Sequence, residues 1–111
     1  MAFHRILRRY GEDVTWRKRV EGAIDAETGD RTVTWTTETV KAVVQRVSAS
    51  EVLVEAGYTS EDYIRIFVTA DIQPKDRVTY RNVEYEVLVP EAFHLRGALE
   101  YRTALCRRLT V

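Results

Sequence analysis

Cysteine, histidine, proline and glycine are all scarce in this chain, and each shortage closes off a class of function. The single cysteine, Cys106, excludes an internal disulfide framework and any CxxC metal or redox site. The two histidines, His4 and His94, lie far apart and at neither HxxxH nor HExxH spacing, so no zinc signature is present. With 5 glycines and 2 prolines, little backbone is set aside for tight ligand loops. There is no GxSxG, no phosphate-cradling glycine loop and no Rossmann fingerprint. An excess of one charge is missing too. Lys plus Arg and Asp plus Glu number 17 each, so no global field draws nucleic acid or an anionic membrane. A duplex-binding module is usually clearly basic. No apolar run is long enough to span a bilayer, and the N-terminus lacks the apolar core of a signal peptide. The expectation is a chain made in a cytoplasm, or assembled into something there, with no catalytic set, metal or cofactor and no membrane partner.

What is present is strand. At 111 residues the chain is expected to form one domain over residues 1–111. Apolar residues make up 45% and charged residues 31%, an ordinary balance for a folded protein. The strongest local signal runs from Asp71 to Val89. Val78 and Tyr80 alternate with Arg77, Thr79 and Arg81, and Val83, Tyr85, Val87 and Val89 alternate with Glu84, Glu86 and Leu88. Period-two alternation rich in Val, Tyr and Thr marks half-buried antiparallel strands. Pro74-Lys75 and Arg81-Asn82 supply the turns. Asn82 tolerates positive φ, but no glycine follows it, so a turn slightly longer than two residues is expected.

Phe3, Ile6, Leu7 and Tyr10 form one apolar stripe of a short helix, and Gly11 is its stop. Val14 to Val20 alternates as a first strand, with a turn over Ala26 to Asp30. Thr32 to Thr37 is strongly β-prone. Val40 to Val47 continues it or forms a further strand, central because both faces are apolar. Ser48 to Gly57 changes to helical spacing, with Ser48 and Glu51 as a capping box; a strand is the alternative. Tyr58 to Asp62 is loop-like and Tyr63 to Ala70 is a strand. Pro90 is expected to end the strand before it, Glu91 to Glu100 to be a loop, and Tyr101 to Leu109 to be the last strand. The fold class is therefore mainly β: a small antiparallel β-barrel of about six strands, with a short N-terminal helix and a short helix or loop insertion. Closure hides the strand edges.

Neutrality overall conceals blocks. Residues 1–20 are basic through Arg5, Arg8, Arg9 and the Trp16–Val20 stretch; residues 21–39 are acidic through Asp25, Glu27 and Asp30. A mixed solvated surface explains this, and so does docking of one subunit edge on the opposite edge of the next. Asp71, Asp76, Glu84 and Glu86 read as carboxylates on a solvated face. Cys106 reads as a buried thiol, since its neighbours Arg107 and Arg108 are not held beside it by strand geometry. Tyr58, Tyr63, Tyr80, Tyr85 and Tyr101, with Trp16 and Trp35, are core or interface residues rather than a base-stacking platform, which needs a continuous basic groove.

The stretches TADIQPKDRVTY and VEYEVLVPEAF, the closing YRTALCRRL, and WRKRV with TVTW near the N-terminus together resemble the head-closure, or head–tail connector, proteins of long-tailed phages and proviruses. Asp76 with Val78, and Tyr85 with Val87, carry the likeness; Arg81-Asn82 departs from the Asp-Gly or Asn-Gly more usual there. The resemblance implies a structural role in the virion, with assembly in the host cytoplasm. It implies self-association into a ring below the portal or adaptor. It also implies contact with tail proteins, and packaged double-stranded DNA in the channel without sequence-specific binding. By chain order it assigns the channel-gating loop to Glu51, Glu55, Tyr58, Glu61 and Asp62. The charge blocks make Arg5, Arg8, Arg9, Asp25, Glu27 and Asp30 the interface candidates. Two other readings stay open at this point: a tail-completion or tail-terminator protein, and a small barrel binding single-stranded nucleic acid.

Overall fold

Residues 2–47 and 59–109 are described in the computed structural model. The helical stripe at the N-terminus forms α1 (Ala2–Tyr10), with Phe3 buried on the sheet. It stops where predicted. The Gly11 amide donates to the Leu7 carbonyl at 2.8 Å, and a Cβ on Gly11 would collide with that same oxygen. Six strands follow: β1 (Glu12–Ile24), β2 (Arg31–Arg46), β3 (Tyr63–Val68), β4 (Arg77–Tyr80), β5 (Val83–Leu95) and β6 (Ala98–Arg108). They close into an antiparallel barrel in the order β1-β2-β3-β6-β5-β4. The runs Thr32 to Thr37 and Val40 to Val47 are joined in one long strand, β2, which ends at Arg46. Ser60–Asp62 forms one short 3-10 turn. The helix expected over Ser48 to Gly57 lies outside the described residues.

Alternation decides what fills the barrel. Val14 and Trp16 from β1, Ala42 from β2, Ile64, Ile66 and Val68 from β3 point inward. So do Val78 from β4, Tyr85 and Val87 from β5, and Ala104 and Cys106 from β6. Ile72, from the loop joining β3 to β4, is buried in the same cluster. Burying a Val, Ile or Leu side chain fully contributes about 1.5–3 kcal/mol, so this one inner layer dominates the stability.

Several expectations are corrected. Arg81 and Asn82 both have positive φ, 50° and 66°, and Tyr80 pairs directly with Val83. This is a two-residue turn of the type I′ kind, formed without glycine. Pro90 does not end its strand. β5 continues to Leu95 and pairs with β6 to its start, so Glu91 to Glu100 is a hairpin closed by Arg96 and Gly97, not a loop. Proline is tolerated because β4 pairs only as far as Glu86, leaving β5 one neighbour beyond it. A register shift between Val87 and Val89 turns the alternation over, which puts Val89 on the exposed side. Asp76 is not on a solvated face; it is 1% exposed.

Two ribbons leave the barrel. β1 meets β4 only over Thr15–Arg17, and β2 meets β3 only over Val43–Arg46. Beyond these points β1 and β2 pair with each other alone, out to a tip at Asp25–Asp30 whose residues are all exposed. The far half of the β5–β6 hairpin projects likewise. Antiparallel pairing places both tips at the end of the barrel opposite the Arg81-Asn82 turn.

Candidate functional site

Three surface features frame the function. The first is the pair of charged ends. Arg5, Arg8 and Arg9 are exposed on the outer side of α1, and Arg9 lies 5.6 Å from the Tyr10 ring. Asp25, Glu27 and Asp30 are exposed at the β1–β2 tip. The tip is shaped by its own backbone. The Asp25 amide donates to the Asp30 carbonyl at 2.7 Å, the Gly29 amide to the Asp25 carbonyl at 2.8 Å, and the Glu27 amide to Asp25 Oδ1 at 2.8 Å. Gly29 takes φ 75°, a conformation glycine reaches without steric cost. The 13 residues of β1 separate the tip from α1. At the usual rise that is about 40 Å. The sequence candidates therefore form two clusters, not one site, and of opposite sign.

The second feature is the barrel mouth at the Arg81-Asn82 end, a polar cleft of about 670 Å³. Glu61 and Asp62 line it with Arg46, Arg81 and Arg108. Asp62 Oδ2 accepts the Thr59 amide at 2.7 Å, tying down the approach to β3. Glu51, Glu55 and Tyr58 lie outside the described residues. Beside the mouth, Glu12 joins the helix end to the turn: the Tyr80 hydroxyl donates to it at 2.7 Å and Arg81 at 2.9 Å. The Tyr80 bond, then Arg81, holds the Glu12 carboxyl below its ordinary value, while burial and then Glu12 push Tyr80 up.

The third feature, unforeseen in the sequence, is an aromatic cleft of about 420 Å³ beside α1. Tyr101 stacks on Phe3 at 4.8 Å and on Phe93 at 5.0 Å, and Phe67 tilts against it at 6.0 Å. Glu100 is in its wall, 8% exposed. One signal was readable: a helix stripe too short to stand alone must pack on something apolar. Nothing local announced that Phe67, Phe93 and Tyr101 from three strands supply it.

The other aromatics are committed elsewhere. Tyr63, Tyr85 and Trp16 are buried. Trp35 lies under two guanidinium groups, Arg17 at 5.2 Å and Arg77 at 4.7 Å, and both arginines pair with Glu84. These placements take Trp16, Trp35, Tyr63 and Tyr85 out of any row of rings for stacked bases. Cys106 is fully buried, and burial pushes its thiol up to about 12, with Arg65 opposing weakly. The sign follows. The folded state keeps this proton above pH 9, where the unfolded chain releases it. Stability is therefore expected to fall between about pH 9 and 12, at most about 1.4 kcal/mol per pH unit from this group. Urea melts at stepped pH check this, and Cys106→Ala is expected to flatten the slope between about pH 9 and 10. Among the described residues, no three His, Cys, Asp or Glu side chains gather as a metal site needs. No helix among them is long and apolar enough to cross a membrane.

These features define a class: a small closed β-barrel whose chemistry is carried on exposed charged ends, a polar mouth and one apolar cleft. The chain belongs to the phage head completion proteins, whose family model matches residues 6–109. It is similar in fold to protein SF1141 of Shigella flexneri 2a, a solution structure, at 19% identity and a TM-score of 0.62. That likeness covers 89% of this chain and 92% of the other. No curated protein matches the chain. Family membership makes it a structural protein of the phage head that interacts with other head or tail proteins.

Proposed function

We propose that the chain is a head–tail connector subunit. Copies form a ring below the portal or adaptor, retain the packaged DNA and present a platform for the tail. The observation that carries this is the opposition of charge across β1, with Arg5, Arg8 and Arg9 at one end and Asp25, Glu27 and Asp30 at the other. A head-to-tail contact requires two different, complementary patches on each subunit, and repetition of such a contact closes a ring when the rotation allows. The segment between β2 and β3 is the channel-facing part in this reading. Glu61 and Asp62 are its described members at the mouth, and Glu51, Glu55 and Tyr58 belong to it by position. Carboxylates facing DNA repel it at short range, within a screening length of about 8 Å in physiological salt. The barrier is then steric and makes no sequence-specific contact.

The test is electron microscopy and DNA quantification of particles made without this protein. Heads that package and then lose their DNA are the expected result. Stable, filled heads lacking tails would instead assign it to tail completion and overturn the closure role.

A further inference from the structure

We propose that the aromatic cleft beside α1 docks a segment of another protein, one presenting an arginine or lysine next to a bulky apolar side chain. The cation would be recognised by Glu100. This carboxylate is 8% exposed, yet its Oε2 has no hydrogen-bond partner among the described residues. A buried polar atom left unpaired is costly, and native structures hold few of them. Glu100 sits in the cleft wall, and rotation about its last torsion brings either oxygen round to an arriving donor. Phe93, stacked on Tyr101 and half exposed, adds a ring face that attracts a guanidinium or ammonium group.

The apolar half of the ligand follows from the rim. Ile6 and Phe93 border the cleft and are 45% and 48% exposed. Covering them while pairing Glu100 is the arrangement of a small interface anchor: one buried charged contact ringed by apolar surface. The volume suits one or two side chains, and the floor is set in advance by ring stacking, which lowers the cost of binding.

A second copy of this chain is a poorer occupant. Its exposed cations on α1 face the acids of the β1–β2 tip in the ring contact proposed above. The tip itself, residues 21–30, contains no Lys or Arg. That contact supplies Glu100 with no cation, and a second copy presenting its exposed Arg96 instead is the outcome that the concentration series below reports.

The experiment titrates the isotope-labelled full chain with N-acetyl-Leu-Arg-Leu amide and, separately, N-acetyl-Leu-Glu-Leu amide, following backbone amide shifts. Saturable shifts at Phe93, Glu100 and Tyr101 are expected for the arginine peptide, at least about tenfold tighter than for the glutamate peptide. Glu100→Gln and Glu100→Leu are expected to remove that preference. Glu100→Leu is also expected to melt at the wild-type temperature or higher, since it deletes the orphaned oxygen; a merely structural Glu100 would give the opposite. Equal affinity for the two peptides, or no shifts at millimolar peptide, overturns the proposal. So do shifts at the same residues on concentrating the protein without peptide, which assign the cleft to a second copy. None of these outcomes bears on the head-closure role, which the particle experiment tests separately.

Discussion

Asp76→Ala is expected to lose about 4 kcal/mol of stability, the largest effect of any substitution outside the apolar core. The carboxylate accepts three hydrogen bonds from three parts of the chain. The Trp16 indole Nε1 donates to Oδ2 at 2.9 Å, the Arg19 amide to Oδ1 at 3.0 Å, and the Gln73 amide to Oδ2 at 3.0 Å. The Arg19 bond is the instructive one. β4 begins at Arg77, opposite Arg17, so the Arg19 amide, the next on that edge of β1, has no strand to donate to. The Asp76 side chain takes the place of the absent strand at the point where the ribbon leaves the barrel. Removing it orphans three donors at once, and hydrogen bonds to a charged acceptor contribute roughly 1.5–3 kcal/mol each before non-additivity. Against a total of about 5–15 kcal/mol, such a loss lowers the melting temperature by roughly 20 °C. Asp76→Asn keeps one acceptor but turns an NH2 toward a donor, and is expected to lose about half as much. Trp16→Phe removes one donor and leaves the carboxylate two. A thermal and urea double-mutant cycle between positions 16 and 76 is expected to show a coupling of about 1–3 kcal/mol. An Asp76→Ala protein within about 1 kcal/mol of wild type would sink the assignment.

Asp76 also shows where sequence reading stops. It follows Pro74-Lys75 and looks like any turn aspartate, while its partners on β1 are 57 and 60 residues away. The same holds for Glu100, whose neighbours in sequence give no sign that it is walled in by rings. Local periodicity, by contrast, is written in the chain. The inward Val78, Tyr85 and Val87, the α1 helix with its Gly11 stop, and the barrel itself follow from local periodicity and the need to hide edges, although Ile6 and Tyr10 of the helix stripe remain exposed. The misreadings share one cause. A proline that ends its strand and a Val89 in step with Val87 both presume an unbroken ladder, whereas the structure bulges β5 and leaves it with one neighbour there. Likewise, Arg81-Asn82 reaches a glycine-like turn because the short β4–β5 pairing and the Glu12 bridge to Arg81 hold it there. Tertiary context overrides a local preference of about 1–2 kcal/mol.

Reversing one charged end is expected to abolish ring assembly without unfolding the subunit, and reversing both is expected to restore it. The pairs to exchange are Arg5→Glu with Arg8→Glu on α1, and Glu27→Arg with Asp30→Arg at the tip. Asp25 is spared because its carboxylate holds the turn. All four side chains are exposed, so each variant is expected to fold within about 1–2 kcal/mol of wild type, the helix-end charge being the main cost. At the contact the sign change is larger: like charges facing each other across an interface cost several kcal/mol, and about 4 kcal/mol is roughly a thousandfold in association. Each pair alone should therefore give particles without the subunit. The four-fold variant, again complementary to itself, should be incorporated. The contact between the two ends makes one more demand. The α1 variant is negative at both ends and the tip variant positive at both, so neither assembles alone, but a mixture alternates around the ring. Incorporation of both from mixed expression, read by mass spectrometry of purified particles, is the expected result. If neither the mixture nor the four-fold variant is incorporated, the two patches do not meet, and the contact between subunits lies elsewhere on the barrel.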